Sequence, residues 1–171
     1  MEQISKTQDI KDRVHTKILN FLSYKLRSET EVSDKLEQYL RRYKSISRSD
    51  KKDIREGIVK NLKKVNLLND DTFTSAFVNE KIKSPKAVSK WQIKRFLIKK
   101  GVHEKVIENA LKAYSKEVEV DKITQDARKK FSSLRKLDKL QQKKRLYNYL
   151  GRKGYPYDKI RSVVDSMCNV K

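Results

Sequence analysis

Few side chains in this sequence combine the residue types and spacings that catalysis or metal binding requires. His15 and His103 have no second ligand at metal-binding spacing. Asp70 and Asp71 form an adjacent carboxylate pair, but neighbouring residues on a helix point in different directions, so capping of a helix N-terminus explains them better. Cys168 is the single cysteine, which excludes an intrachain disulfide. We therefore predict no catalytic residue, no cofactor and no metal, and a protein that is not an enzyme.

Positive charge is the strongest chemical signal in the chain. There are 43 Lys and Arg residues against 22 Asp and Glu residues, which gives a formal net charge of +21. The excess is concentrated, because residues 81–103 contain no acid and residues 128–153 contain only Asp138. Such a surface attracts polyanions, so nucleic acid or an acidic protein surface is the expected partner. The alternative is a solvated basic face whose charge serves only solubility.

Aromatic residues lie within these basic stretches. Trp91 and Tyr147 fall outside the repeat positions that hold core residues, so we assign both to the surface. An exposed ring could stack on a base or fill a pocket of a partner. For Trp91, packing into the joint between helical repeats is an equally good interpretation. The predicted surface for binding a polyanionic partner consists of Lys90, Trp91, Lys94, Arg95, Lys99, Lys100, Arg128, Lys129, Lys143, Lys144, Arg145, Tyr147, Arg152 and Lys153.

The segments that would carry this surface repeat along the chain. Ile93–Gly101 and Leu146–Gly154 share an aliphatic residue, an aromatic–Leu pair, a basic pair and a final glycine. A fainter copy precedes them, and repeats of this length are typical of arrays in which small units stack on each other. The basic pairs also suit the negative end of a helix dipole, although this does not explain the density of cations around them. In register, the repeat assigns these residues to the core: Leu36, Tyr39, Ile93, Phe96, Leu146 and Tyr149.

Apolar residues recur with helical periodicity through most of the chain, and only two Pro and four Gly interrupt it. About nine helices follow, in three groups of three. Apolar residues make up 36% of the chain, which is too small a share for one large core. We therefore predict an all-α fold, an elongated array of three tandem three-helix repeats. The predicted segments are a flexible N-terminus at 1–10 and repeats at 11–68, 69–116 and 117–168.

Local signals indicate where several helices begin and end. Ser28 with Glu31 three residues later is the pattern of a capping box, which starts the second helix. Gly101 is expected to end the fifth helix in a left-handed conformation, and Pro156 suits the first turn of the ninth. No apolar run approaches the roughly 20 residues that span a bilayer, and the first residues lack a signal-peptide pattern. We expect a monomeric cytoplasmic protein without a membrane partner.

The joint between the first two predicted repeats resembles the RecX family. Residues 67–78 read Leu-Leu-Asn-Asp-Asp-Thr-Phe-Thr-Ser-Ala-Phe-Val, where that family usually has Gly-Leu-Leu-Asp-Asp followed by Phe-Ala and an aromatic residue. The stretch 93–102, with Ile93, Leu97 and Lys100-Gly101-Val102, is similar to the family's Ile, Leu and Lys-Gly-Ile. Asn66 stands where the family commonly has Gly, and Asn can also adopt the left-handed conformation that the turn needs.

This resemblance covers about residues 15–167 and implies a function. Members of the family bind the filament of RecA recombinase on DNA, lie along its groove and usually limit its assembly or activity, without known catalysis. The resemblance thus implies a regulator of recombination, DNA repair and the SOS response whose partners are the RecA filament and single- and double-stranded DNA. The alternative, from charge alone, is a stand-alone helical protein that binds DNA without sequence preference.

Overall fold

The computed structural model describes residues 2–168, with side chains from residue 7 onward. Over this part of the chain the fold consists of nine helices and no strand. The helices are α1 (Glu2–Ser23), α2 (Glu29–Leu40), α3 (Arg48–Lys64), α4 (Asp70–Lys83), α5 (Lys90–Lys99), α6 (Glu104–Leu111), α7 (Lys116–Ser132), α8 (Lys139–Arg152) and α9 (Tyr157–Cys168). The predicted all-α array of three-helix repeats is confirmed. None of the described helices has the length and apolar character needed to cross a membrane.

The described chain divides into two compact units. The first contains α1, α2 and α3, the start of α4 up to Phe73, and Lys99–His103. The second contains Thr74–Ile98 and the described residues from Glu104 onward. The middle repeat, α4 to α6, therefore contributes residues to both units, whereas the first and third repeats each lie within one.

The core of the first unit lies between α1, α2 and α3. Val14, Ile18 and Leu36 have no exposed surface, because their helical spacing places them on the inward faces. α1 begins earlier than the predicted residue 11, and the segment predicted to be flexible is helical from Glu2. Ile10, which is 7% exposed, continues the apolar stripe of α1 by one turn before Val14.

The core of the second unit is formed where α7, α8 and α9 pack together. Ile123, Leu146 and Leu150 are fully buried there, and burial of each such side chain contributes about 1.5–3 kcal/mol. Tyr149 was predicted to be in the core and Tyr147 on the surface, but both are partly buried against this cluster.

Phe96 corrects the core predicted from the repeat register. It is 39% exposed rather than buried. Its ring stacks on Phe77, with centroids 4.4 Å apart and planes 9° from parallel. The inward positions of α5 are filled by Ile93 and Leu97, so Phe96 lies beyond the edge of the apolar stripe and gains its contact from α4.

The helices are capped as predicted, except that one predicted capping residue binds the end of a different helix. The Ser28 hydroxyl accepts from the backbone N–H of Glu31, and the Glu31 carboxylate accepts from the backbone N–H of Ser28, as in a capping box. Asn69 caps α4 by accepting from the backbone N–H groups of its first turn. Asp70 was predicted to cap α4, but it accepts from the backbone N–H of Glu29 at 2.8 Å and so caps α2. Burial raises the pKa of Asp70.

The glycine that ends the repeated segment has the same structural role at Gly101 and at Gly154. The Ser28 hydroxyl donates to the carbonyl of Lys100, which precedes Gly101, at 2.7 Å. The Ser89 hydroxyl donates to the carbonyl of Lys153, which precedes Gly154. In both cases the N-cap serine of one helix closes the C-terminal turn of the corresponding helix in the next repeat. We call this arrangement the serine–glycine joint.

Both joint positions require glycine for two reasons. Gly101 and Gly154 have φ angles of 74° and 78°, so a side chain there would be strained. A Cβ atom at Gly154 would lie 2.7 Å from the Trp91 ring, and one at Gly101 would lie 2.1 Å from the Thr30 hydroxyl oxygen. The predicted left-handed end at Gly101 is therefore confirmed, Gly154 has the same conformation, and Asn66, with φ 56°, adopts it after α3.

Candidate nucleic-acid interface

Helix α8 presents basic residues on the side that faces away from the core. Asp138 caps it by accepting from the backbone N–H of Gln141 at 2.8 Å, and Leu146 and Leu150 hold its inner face in the core. Because these leucines point inward, cations on the other sides of the helix are directed to solvent. Three exposed cations of α8 belong to the predicted surface and form no ion pair within the described residues: Lys144, Arg145 and Arg152.

Helix α7 adds further free cations in the same unit. Ser115 caps it by accepting from the backbone N–H of Val118, and Ile123 and Ala127 are its buried residues on the apolar side. Arg128 and Lys129 lie outside this stripe and are exposed. Neither forms an ion pair in the part of the chain that the structure describes, and the same holds for exposed Lys99, which ends α5 and belongs to the first unit. Six predicted cations therefore remain available to a polyanion.

Four other cations of the predicted surface are already bound to carboxylates. Lys94 contacts Glu104 at 2.6 Å and Glu108 at 3.6 Å, and the hydrogen bond to Glu104 raises its pKa. The remaining ion pairs are Lys100–Glu31 at 2.6 Å, Lys143–Asp165 at 3.3 Å and Lys153–Asp126 at 2.7 Å. Each of these ion pairs lowers the charge that a phosphate would meet.

Lys153 belongs to a buried polar network rather than to an open surface. Asp126 is 4% exposed, and it accepts from the Lys153 ammonium at 2.7 Å and from the Tyr155 hydroxyl at 2.8 Å. Burial alone would lower the pKa of Lys153, but the hydrogen bonds to Asp126 and Tyr149, together with the charge of Asp126, raise that pKa. Burial, reinforced by Asp126, raises the pKa of Tyr155. The second lysine of this basic pair thus stabilises the third repeat.

Trp91 combines both of the roles that its sequence position suggested. It is 46% exposed, as predicted for a surface residue. Its ring also contacts Gly154 in the serine–glycine joint. The Arg95 guanidinium lies 5.2 Å from the Trp91 ring centroid, and the Lys90 ammonium lies 5.8 Å from that of Tyr114. These cation–π contacts occupy part of the aromatic surface that a base would need.

A groove of about 450 Å³ lies beside Trp91. Its lining has mixed charge, because it includes the acidic residues Glu108 and Glu119 as well as lysines. Mixed charge suits phosphate less well than the acid-free outer face of α8 does. The groove is lined by Lys90, Trp91, Lys94, Glu108, Leu111, Lys112, Glu119, Gly154 and Pro156.

Two exposed residues near α8 that the repeat register did not identify carry no charge and so add no contact for phosphate. Leu140 and Tyr157 are 78% and 70% exposed, and the Tyr157 ring centroid lies 5.8 Å from that of Tyr147. Leu140 could have been found, since it lies outside the helical stripe of Leu146 and Leu150. Among the described residues, no group of His, Cys, Asp and Glu could hold a metal ion.

Several known proteins similar to this chain carry the name of one family. A family model described as "RecX, third three-helix domain" matches residues 117–164. A protein of Finegoldia magna named "Regulatory protein RecX" is 31% identical over 147 residues, which cover 85% of this chain and 67% of the relative. A protein of the same name from Oceanobacillus iheyensis is 34% identical over 123 residues, which cover 72% of this chain and 42% of the relative.

Solved structures with a similar fold carry the same name. The crystal structure of RecX from Lactobacillus salivarius has a TM-score of 0.80 and 25% identity, with coverage of 95% of this chain and 99% of that one. A crystal structure of regulatory protein RecX also gives a TM-score of 0.80, at 22% identity, with coverage of 94% and 74%. The chain is shorter than its relatives from Finegoldia magna and Clostridioides difficile, of which it covers 67% and 69%.

Proposed function

This chain belongs to the RecX family of regulatory proteins, and from that premise we propose that it regulates RecA recombinase without catalysing a reaction. In this proposal it binds the RecA–DNA filament in the cytoplasm as a monomer and lies along the filament groove. Its effect is to limit recombination and the SOS response. The family name supports the RecA partner, and the charge of the chain supports contact with the DNA that RecA covers.

The six exposed cations without ion pairs are the observation that carries the DNA part of the proposal. Lys99 ends α5 in the first unit, and five cations lie on α7 and α8 in the second unit: Arg128, Lys129, Lys144, Arg145 and Arg152. Lys and Arg contacts to phosphate give affinity without base recognition. A filament presents many phosphates along one path, so an array of cations on helical repeats can bind it without reading the sequence of the DNA.

Strand exchange by RecA, measured with and without the protein, tests this function. We expect equimolar protein to slow strand exchange and also to bind a fluorescent oligonucleotide with an affinity that falls steeply with salt. Unchanged strand exchange would contradict regulation of RecA. If the protein still bound the oligonucleotide in that case, it would be a stand-alone DNA-binding protein. The free cations alone would be sufficient for that function.

A further inference from the structure

Helix α8 has a second exposed edge whose chemistry differs from that of its basic edge. Leu140, Tyr147 and Gly151 lie close together around the helix axis at 100° per residue, whereas Arg145 and Arg152 lie about 130° away. Leu146 and Leu150 point into the core, about 100° from the first set on the side away from the two arginines. We define the first set, together with Tyr157 beside Tyr147, as the apolar edge of α8.

The apolar edge is more exposed than the fold requires. Leu140 and Tyr157 are 78% and 70% exposed, the highest values among the described large apolar residues after Tyr24. Tyr147 is partly buried against the core and carries Tyr157 on its outer side, with the two ring planes tilted by 33°. An apolar residue and an aromatic pair next to each other are typical of the centre of a protein interface.

Gly151 points to a partner that approaches the helix backbone closely. A Cβ atom at this position would meet nothing within 4 Å, so the packing of this chain does not require glycine there. Glycine inside a helix costs about 0.5–1 kcal/mol relative to alanine. Its absent side chain lets another backbone come nearer to α8, since the distance between packed helices depends on the side chains at the contact.

The charge beside the apolar edge indicates what kind of partner fits. Lys144 lies next to this edge without an ion pair among the described residues, while Lys143 and Arg161 share the single carboxylate of Asp165 at 3.3 and 3.8 Å. Exposed Lys139 adjoins Leu140. The nearby acid Asp158 pairs with Lys159 at 3.9 Å. The edge is therefore apolar with a net positive border, and its complement is an apolar surface bordered by carboxylates.

We propose that the apolar edge of α8 binds an amphipathic helix of a partner protein whose apolar side chains are flanked by carboxylates, while the basic edge contacts DNA. Phosphate gains nothing from burying Leu140, and a base would stack on a ring rather than on a leucine. A partner helix can pack close to α8 at Gly151, because glycine has no side chain to separate the two backbones. The identity of the partner, a RecA subunit of the filament, rests on the proposed function.

Two double variants separate the two edges of α8. In the first, Leu140→Ser and Tyr157→Ser remove the exposed apolar anchors. In the second, Arg145→Gln and Arg152→Gln remove cations from the basic edge. For each variant, binding to RecA filaments and binding to a fluorescent dT oligonucleotide are measured at one salt concentration. We expect the first to weaken filament binding at least about 20-fold, as truncation of interface anchors does, and to leave oligonucleotide affinity within about twofold.

Gly151→Ala is the more specific test, and Gly57→Ala is its matched control. Gly57 also lies inside a helix with nothing within 4 Å of an added Cβ atom. We expect both substitutions to hold or raise the melting temperature, because alanine favours the helix. Only Gly151→Ala should also weaken filament binding, by about tenfold, since its methyl group occupies the space of the partner backbone.

Each other outcome contradicts the proposal in a different way. If the Leu140 and Tyr157 variant loses oligonucleotide binding, nucleic acid occupies the apolar edge. If it keeps both activities, the edge is not an interface. If Gly151→Ala binds filaments as tightly as Gly57→Ala does, no helix approaches there. A wild-type chain that binds the oligonucleotide but not RecA filaments would overturn the proposed function and, with it, this partner.

Discussion

Removal of the free cations of α8 should reduce both the affinity for DNA and its dependence on salt. The perturbation is the triple variant Lys144→Gln, Arg145→Gln and Arg152→Gln. These side chains are exposed and form no ion pairs within the described residues, so the fold should keep its stability. With Arg128 and Lys129 of α7 they make five cations of the second unit that could each neutralise one phosphate.

The magnitude follows from counterion release. Five phosphate contacts give a slope of about −4.5 for log affinity against log salt, so affinity for duplex DNA falls about 500-fold between roughly 50 and 200 mM salt. The variant keeps two contacts, for which the slope is about −1.8 and the loss about 12-fold. Fluorescence anisotropy with a labelled duplex, repeated over a salt series, measures both slopes.

A second triple variant controls for net charge. Lys44→Gln, Lys60→Gln and Lys64→Gln remove three exposed cations from the first unit and change the net charge equally. We expect this control to change the slope much less than the α8 variant does. If both variants lower the slope by the same amount, the DNA contact depends on total charge, and the assignment of the interface to α7 and α8 is refuted.

Three further predictions concern the elements that position this surface, and urea unfolding measures the first two. Gly154→Ala should lower the free energy of unfolding by about 2–4 kcal/mol, because the left-handed backbone and the Trp91 ring both oppose a Cβ atom; a value as small as that of Gly57→Ala would contradict the role of the joint. Asp126→Ala should cost about 2–3 kcal/mol, since it leaves a buried hydroxyl and a partly buried ammonium without their acceptor; an unchanged midpoint would show that the network contributes nothing. Burial would raise the pKa of Glu31, but its hydrogen bonds to a lysine and a backbone N–H lower it below 4.5. The carboxylate of Glu31 therefore stabilises the fold above pH 4.5, and this contribution is lost as pH falls through the folded-state pKa. In the Glu31→Gln variant the free energy of unfolding should fall less steeply below pH 4.5 than in the wild-type chain. Equal pH profiles for the two proteins would contradict this.

Periodicity and capping chemistry were sufficient to predict the helices. The stripes of Leu36, Ile93 and Leu146 are buried as expected, because a helix in a small repeat can bury only one face. The left-handed conformation at Gly101 was also predicted from the sequence, since this glycine ends a helical pattern.

The functional surface was predicted less completely, and the reasons are physical. Lys100 and Lys153 resemble surface cations in the sequence, but tertiary packing brings them to Glu31 and Asp126. A repeat register also cannot show that Phe96 leaves the core to stack on another helix. Which lysines remain free depends on contacts between residues that are distant in the chain.

RecA-catalysed ATP hydrolysis on single-stranded DNA tests the central claim most directly. The wild-type chain and the variant lacking Lys144, Arg145 and Arg152 are titrated into preassembled filaments at fixed salt. We predict that the wild-type chain lowers the hydrolysis rate and that the variant requires at least about tenfold more protein for the same effect, as loss of three phosphate contacts implies. An unchanged rate with equimolar wild-type chain, or equal potency of the two proteins, would contradict the claim.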